Sequence, residues 1–333
     1  MSGYKKMDFY IEGFVNLLEE GLEIGKKLEL KNTQAQVKHV VMAGLGGSGI
    51  GAEIVLNYLE RSTPVPLVLS KDYFLPGFVN EETLVMVCSY SGNTEEALYV
   101  LQEAISKKAT IVCITSGGKL QELARANDID CVLLPAGIPP RACIGCSFSQ
   151  ILFVLQQFAL INDSFETEIS NAVKLLSGEL ETIKKDAAAL AEKLQHKLPV
   201  IYSDQRIAGV ATRWRQQFNE NSKVLGWERP FPEMNHNELV GWRDQAEDLA
   251  VIFLHTGSEL DRVSRRFEIN RSVICNFTDN VYDIVAKGDS FLEKAIYLIL
   301  FGDWTSWYLA ELRGVDAVEV NVIDDLKNAL NKD

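Results

Sequence analysis

Two kinds of residue group in this chain could do chemistry: glycine loops bearing hydroxyls, which suit a phosphate, and a glutamate and a histidine placed where a proton could be moved. The first loop is AGLGGSGIGAE, residues 43–53, in which Gly44, Gly46 and Gly49 satisfy the G-x-G-x-x-G spacing of a dinucleotide-binding turn. Asp72 follows at about the distance expected of a ribose-binding acid, although Lys71 before it and Tyr73-Phe74-Leu75-Pro76 after it read equally well as an exposed loop. The second loop is CSYSGNTEEAL, residues 88–98, with Ser89, Ser91, Gly92, Asn93 and Thr94 between a strand-like run and a helix-like one. Hydroxyls, backbone N–H groups and the positive end of a helix converge there, which suits a phosphate dianion. A capping box built on Asn93 or Thr94 would account for one hydroxyl, but not for two further serines in the same turn.

Glu220 lies in FNENSK at the end of a helical pattern, between Asn219 and Asn221; a glutamate there is ordinarily solvated, and its surroundings also allow a base. His236 lies in the proline-rich ERPFPEMNHNE, polar on both sides, which reads as a loop between a helix and a strand, and it is either a surface histidine or an acid/base. His39, His196 and His255 belong to no such setting and read as structural. The six cysteines fall at 88, 113, 131, 143, 146 and 275, the first three within apolar strand-like runs as small core residues. Cys143-x-x-Cys146 has redox or half-zinc spacing, but no second pair accompanies it, and the flanking PPRACIG reads as a loop.

The elements that must hold these groups follow from periodicity. Continuous apolar runs at 39–44, 66–70, 83–90, 110–116 and 131–136 alternate with helix-length segments, which indicates a parallel sheet covered on both faces. After Pro139-Pro140 the pattern changes to long helices, SFSQILFVLQQFALI (147–161) and an extended segment through His196. A second series of strands is expected at 198–204, 248–255, 272–278 and 317–321, so the chain reads as two α/β domains, 1–160 and 161–333.

Bulk properties exclude several classes. At 333 residues, 47% hydrophobic and 24% charged, the chain has the composition of a globular protein of about two domains. A net charge of −13 argues against nucleic acid or an anionic membrane as main partner. The N-terminal segment lacks the apolar core and cleavage site of a secretory signal, so a cytoplasmic location is expected. YLILFGDWTSWYLAEL (297–312) is too short for a membrane span and carries Asp303 near its middle, so it reads as a buried helix.

GLGGSGIGAEI, SYSGNTEEAL, PPRACIG, QQFNENSK, PEMNHNELVGW and DAVEVNVIDDLK, in this order and at these distances, resemble the bifunctional phosphoglucose/phosphomannose isomerase family of the sugar isomerase (SIS) superfamily, from about residue 40 to 327. The resemblance implies two SIS domains, each a doubly wound, flavodoxin-like parallel sheet, and a homodimer. It implies a metal-independent, cofactor-free enzyme that interconverts glucose 6-phosphate and fructose 6-phosphate, and in many members mannose 6-phosphate. By the same resemblance Glu220 is the proton-transfer base, Arg141 stabilises the enediolate, His236 from the partner subunit opens the sugar ring, and Lys327 assists at the ring oxygen. Ser89, Ser91 and Thr94 would then bind the phosphate, with Gly46, Gly47 and Ser48 lining the sugar. The chain departs from the family at Asp316-Ala317-Val318-Glu319-Val320, where members commonly carry DPTPV, so Val318 replaces a threonine associated with the mannose epimer. An isomerase of another sugar phosphate and a phosphosugar-sensing regulator are the competing readings; no helix-turn-helix extension or basic patch supports the regulator.

Overall fold

The computed structural model describes residues 6–330; the first five residues of the N-terminal segment and the last three of the chain lie outside it. Two short helices, α1 (Met7–Glu12) and α2 (Phe14–Lys26), precede the first sheet. Then come β1 (His39–Ala43), α3 (Gly46–Leu59), β2 (Leu67–Ser70), β3 (Thr83–Cys88), α4 (Glu95–Ser106), β4 (Thr110–Thr115), α5 (Gly118–Ala126) and β5 (Asp130–Leu133). A 3₁₀ turn at Pro140–Cys143 leads into α6 (Ile144–Gln157) and α7 (Ser164–Leu194). The second half holds β6 (Leu198–Asp204), α8 (Ala208–Glu220), β7 (Trp227–Phe231), β8 (Leu249–His255), α9 (Asp261–Ile274), β9 (Val281–Val285), α10 (Phe291–Arg313) and α11 (Asn321–Leu330).

All pairings in both sheets are parallel. The first sheet runs β2-β1-β3-β4-β5, the flavodoxin-like doubly wound order, and the second runs β7-β6-β8-β9, the same order short of one strand. Central strands such as β3 are buried along their whole length, which explains their unbroken apolar sequence. One continuous core joins the two halves, with α7 and α10 at its centre. The Trp214 ring of α8 stacks on Phe301 of α10 at 5.9 Å, and its Nε1 donates to the Leu298 carbonyl at 2.8 Å. This close approach requires Gly302, where a Cβ would lie 2.4 Å from Trp214 Nε1. Gly302→Ala is expected to cost about 1–3 kcal/mol of stability, read by denaturant unfolding.

Four expectations need correction. Residues 272–278 are not a strand: α9 continues to Ile274 because Phe267, Asn270 and Ile274 face the core at helical spacing, and the strand is the next segment, Val281–Val285. Residues 317–321 form no strand either. The carbonyls of Ala317 and Val318 are taken by the Arg141 guanidinium instead of a ladder, and Asn321 already begins α11. β7 falls within a stretch read as a loop, since WERPF carries a proline at each side of its last residue; it pairs only with β6, and edge strands tolerate proline. PPRACIG is a loop only at Pro139: a 3₁₀ turn over Pro140–Cys143 runs into α6, and both Cys143 and Cys146 are buried.

Other expectations hold. Cys88 and Cys113 are buried on strands and Cys131 is half-buried on a third. Asp303 sits inside α10, and no helix among the described residues is long and apolar enough to cross a membrane. His255 bonds Asp283 at 3.0 Å and packs on Phe267, a structural setting.

Candidate active site

The order of the first sheet decides where its two glycine loops meet. From β1 the chain moves outward to β2, whereas β3 starts the opposite wing, so the loops after β1 and β3 flank one crevice at the carboxyl edge. A dinucleotide fold has a different strand order, and Asp72 is exposed with its carboxylate accepting from the Tyr73 amide at 2.6 Å. Ser48 ties the loops together, its Oγ accepting from the Tyr90 amide at 3.1 Å. In the second loop the Ser89 and Thr94 hydroxyls share a 2.8 Å hydrogen bond, and Ser91 Oγ accepts from the Asn93 amide at 3.2 Å. Thr94 occupies the N-cap position of α4, yet no side chain caps that helix. Its hydroxyl turns to Ser89, leaving the first-turn amides of α4 without a side-chain acceptor. Gly92 has φ +66°, and a Cβ there would lie 1.8 Å from the Gly117 carbonyl oxygen. Gly92→Ala is therefore expected to strain this loop by roughly 1–3 kcal/mol and to raise KM for a phosphorylated substrate, which melting curves and initial rates would read together.

The same loop positions the next segment. Tyr90 Oη donates to the Pro135 carbonyl at 2.7 Å and accepts from the Ile138 amide at 3.0 Å, which delivers Pro139-Pro140-Arg141 to the crevice. Gly47 packs against that backbone so closely that a Cβ would lie 3.0 Å from the Pro140 carbonyl. α3 also holds α8 from the second half, through Asn57 Oδ1 accepting from the Gly209 amide at 2.8 Å. The C-terminal end of α8 thereby reaches Arg141.

Arg141 is 4% exposed and every arm of its guanidinium is engaged. Nη1 lies 3.3 Å from Glu220 Oε2, Nε donates to Asn221 Oδ1 at 2.8 Å, and Nη2 donates to the carbonyls of Ala317 and Val318 at 2.6 and 3.2 Å. Burial pulls the guanidinium pKa down and Glu220 opposes it; arginine nonetheless stays charged. The Glu220 side chain retains 28% of its exposure against 5% for Arg141, so the carboxylate is the accessible member of the pair. A carboxylate beside a fixed, dehydrated cation can accept a proton while the cation stabilises the anion left behind.

Several residues around this pair went unnoticed in the sequence. Lys223, in the same NENSK stretch and at φ +56°, donates to the carbonyls of Glu220 and Glu319 and has its ammonium pKa lowered by burial. Arg213, Gln217, Asn221, Ser222 and Ser306 are buried beneath it around Asp303. The one sequence signal for them was the aspartate interrupting an apolar helix.

Among the described residues, neither His236 nor Lys327 hydrogen-bonds or ion-pairs with Glu220. Phe231, at the end of β7, pairs with Asp204 at the carboxyl edge of the second sheet, and His236 follows on an exposed 3₁₀ turn. Glu220 ends the 13-residue α8, which descends from that edge to the other, a separation of about 20 Å at 1.5 Å per residue. Lys327 lies on α11, which has no buried residue, and its Nζ is 4.0 Å from Asp324 of the same helix.

Two doubly wound sheets with a hydroxyl-rich crevice at one switch point are the features of a SIS-domain protein. Residues 35–160 match the SIS domain family model, and residues 183–330 match that of the bacterial phospho-glucose isomerase C-terminal SIS domain. The chain is 37% identical over 327 residues to the bifunctional phosphoglucose/phosphomannose isomerase of Caldicellulosiruptor bescii, covering 94% of this chain and 95% of that protein. It is 36% identical to that of Aquifex aeolicus, with 97% of each chain covered. This chain belongs to the bifunctional phosphoglucose/phosphomannose isomerase family. In fold it matches the C-terminal domain of glucosamine-fructose-6-phosphate aminotransferase from Francisella tularensis at a TM-score of 0.80, with 15% identity and 95% and 99% of the two chains covered.

Proposed function

We propose that this protein is an aldose-ketose isomerase that interconverts glucose 6-phosphate and fructose 6-phosphate, within cytoplasmic glycolysis and gluconeogenesis. The observation that carries the reading is the Arg141–Glu220 pair at 3.3 Å, on a segment that Tyr90 of the serine-threonine loop anchors through Pro135 and Ile138. The phosphate sits on Ser89, Ser91 and Thr94, and Gly46, Gly47 and Ser48 admit the reacting end of the sugar. Glu220 takes a proton from one of C1 and C2 and returns it to the other, through a cis-enediol. Arg141 stabilises the oxyanion formed between those steps, so the positive charge comes from the protein rather than from a metal ion.

The working unit in this reading is a homodimer in which His236 of the second subunit opens the sugar ring. The separation of His236 from its own Glu220 supports that arrangement. So does α11: an isolated helix of ten residues is marginal in water, yet Val322 is 82% exposed and Leu326 60%. Burying that face in the dimer would place Lys327 at the ring oxygen. A sensor of sugar phosphates would need neither the Glu220 carboxylate nor His236.

Purified protein supplied with fructose 6-phosphate and EDTA is expected to form glucose 6-phosphate, read by a coupled dehydrogenase. No product across a panel that includes mannose 6-phosphate would overturn the reading. Val318 makes the mannose epimer the poorer substrate, and Val318→Thr is expected to raise its kcat/KM relative to glucose 6-phosphate by roughly tenfold. An unchanged ratio would exclude residue 318 from epimer choice.

A further inference from the structure

Beneath Arg141 the hydrogen bonds close into a ring that crosses three separate parts of the chain. Arg141 Nε donates to Asn221 Oδ1 at 2.8 Å, and Asn221 Nδ2 donates to Ser306 Oγ at 2.9 Å. Ser306 Oγ donates to the Asp303 carbonyl at 2.7 Å. The Asp303 carboxylate accepts from Arg213 Nη2 at 2.6 Å and from Gln217 Nε2 at 2.9 Å. Arg213 Nη2 returns to the Arg141 carbonyl at 3.0 Å, completing the circuit. Ser222 adds a bond from its hydroxyl to the Ser306 carbonyl at 2.6 Å. Arg213 is 1% exposed and Asp303 3%, so the ion pair at its centre is fully inside.

An ion pair buried at this depth adds little net stability, because removing two charges from water costs about as much as their attraction returns. Its directional bonds do something apolar packing cannot. Through Arg213 they hold the backbone that carries Arg141, and through Ser306 they hold Asn221 and Ser222, the two residues that follow Glu220. The ring therefore grips both members of the Arg141–Glu220 pair from behind, while neither Asp303 nor Arg213 bonds Glu220 itself.

We propose that Asp303 and Arg213 are positioning residues that set the Arg141–Glu220 geometry for proton transfer. The proposal rests on the isomerase reading of that pair. A displacement of about 1 Å between reacting groups costs on the order of 10²-fold in rate, and the substrate's phosphate is held elsewhere, on the serine-threonine loop. Disturbing the ring should thus lower kcat and leave KM alone.

The test uses the full-length enzyme with fructose 6-phosphate. Asp303→Asn is expected to lower kcat by about 30- to 100-fold with KM within about twofold. Because it leaves the Arg213 charge unpaired, a second variant removes both charges together, Arg213→Met with Asp303→Leu. That pair removes both buried charges, leaving only Gln217 and the Arg141 carbonyl to find new partners, and is expected to fold with a Tm closer to the parent's than Asp303→Asn and to show the same loss of kcat. Wild-type kcat in either folded variant overturns the proposal, as does a KM rise that accounts for the whole loss. Failure of both to fold would assign the ring to stability alone and overturn it too. An inactive wild-type protein would instead overturn the isomerase reading.

Discussion

Glu220→Gln is expected to reduce kcat for fructose 6-phosphate by about 10²- to 10⁴-fold, the contribution of a positioned base, with KM close to the parent value. Glutamine keeps the volume of the side chain but cannot accept a proton near neutral pH. Arg141 should stay in place, because Asn221, Ala317 and Val318 still engage it when the carboxylate is gone. Arg141 is buried and loses its counter-charge, but its other bonds remain, so the stability change is expected to be about 1–3 kcal/mol. A coupled assay and a thermal melt on the same preparation separate the two effects. Undiminished turnover in a folded Glu220→Gln protein would remove Glu220 from the mechanism.

A larger contrast is expected from mixing two inactive proteins. Glu220→Gln and His236→Ala should each be nearly silent alone. Mixed through a dissociation and reassociation step, they should regain about one quarter of wild-type activity, since half the dimers are hybrid and one of the two sites in each hybrid is intact. The reason lies in the second sheet: His236 follows β7 at the carboxyl edge, and Glu220 ends α8 at the other. If the histidine served its own chain, every site in every hybrid would still lack one group and no activity would return. The experiment therefore tests the shared site without a structure of the dimer.

Much of the fold could be read before folding was considered. Central strands announce themselves because both faces are buried, so β1, β3, β4, β6 and β8 each carry a run of consecutive apolar residues. Edge strands are less uniform: β2 and β5 of the first sheet also show as apolar runs, whereas β7 and β9 of the second do not. β7 has one neighbour and tolerates two prolines around its last residue, and β9 is a five-residue edge strand with Asp283 at its centre, so neither stands out from a loop. At 272–278 and 317–321 β-branched residues misled: the first run is half helix, and the second gives its carbonyls to Arg141. At 317–321 local propensity loses to Arg141, a partner 176 residues away.

At the site, residue type and order were enough to mark Gly46, Gly47, Ser48, Ser89, Ser91 and Thr94 as a loop system, and the family pattern pointed to Arg141, Glu220, His236 and Lys327. Such groups leave a local trace, because hydroxyls beside glycine at a strand end have few other uses. The union of the two loops needed the 2-1-3-4-5 strand order, which no window of sequence contains. The Arg141–Glu220 contact and the Asp303 ring needed it too. Their members are ordinary polar residues up to about 160 positions apart, and only burial in a common core turns them into a directed network, since hydrogen bonds hold geometry where water cannot compete.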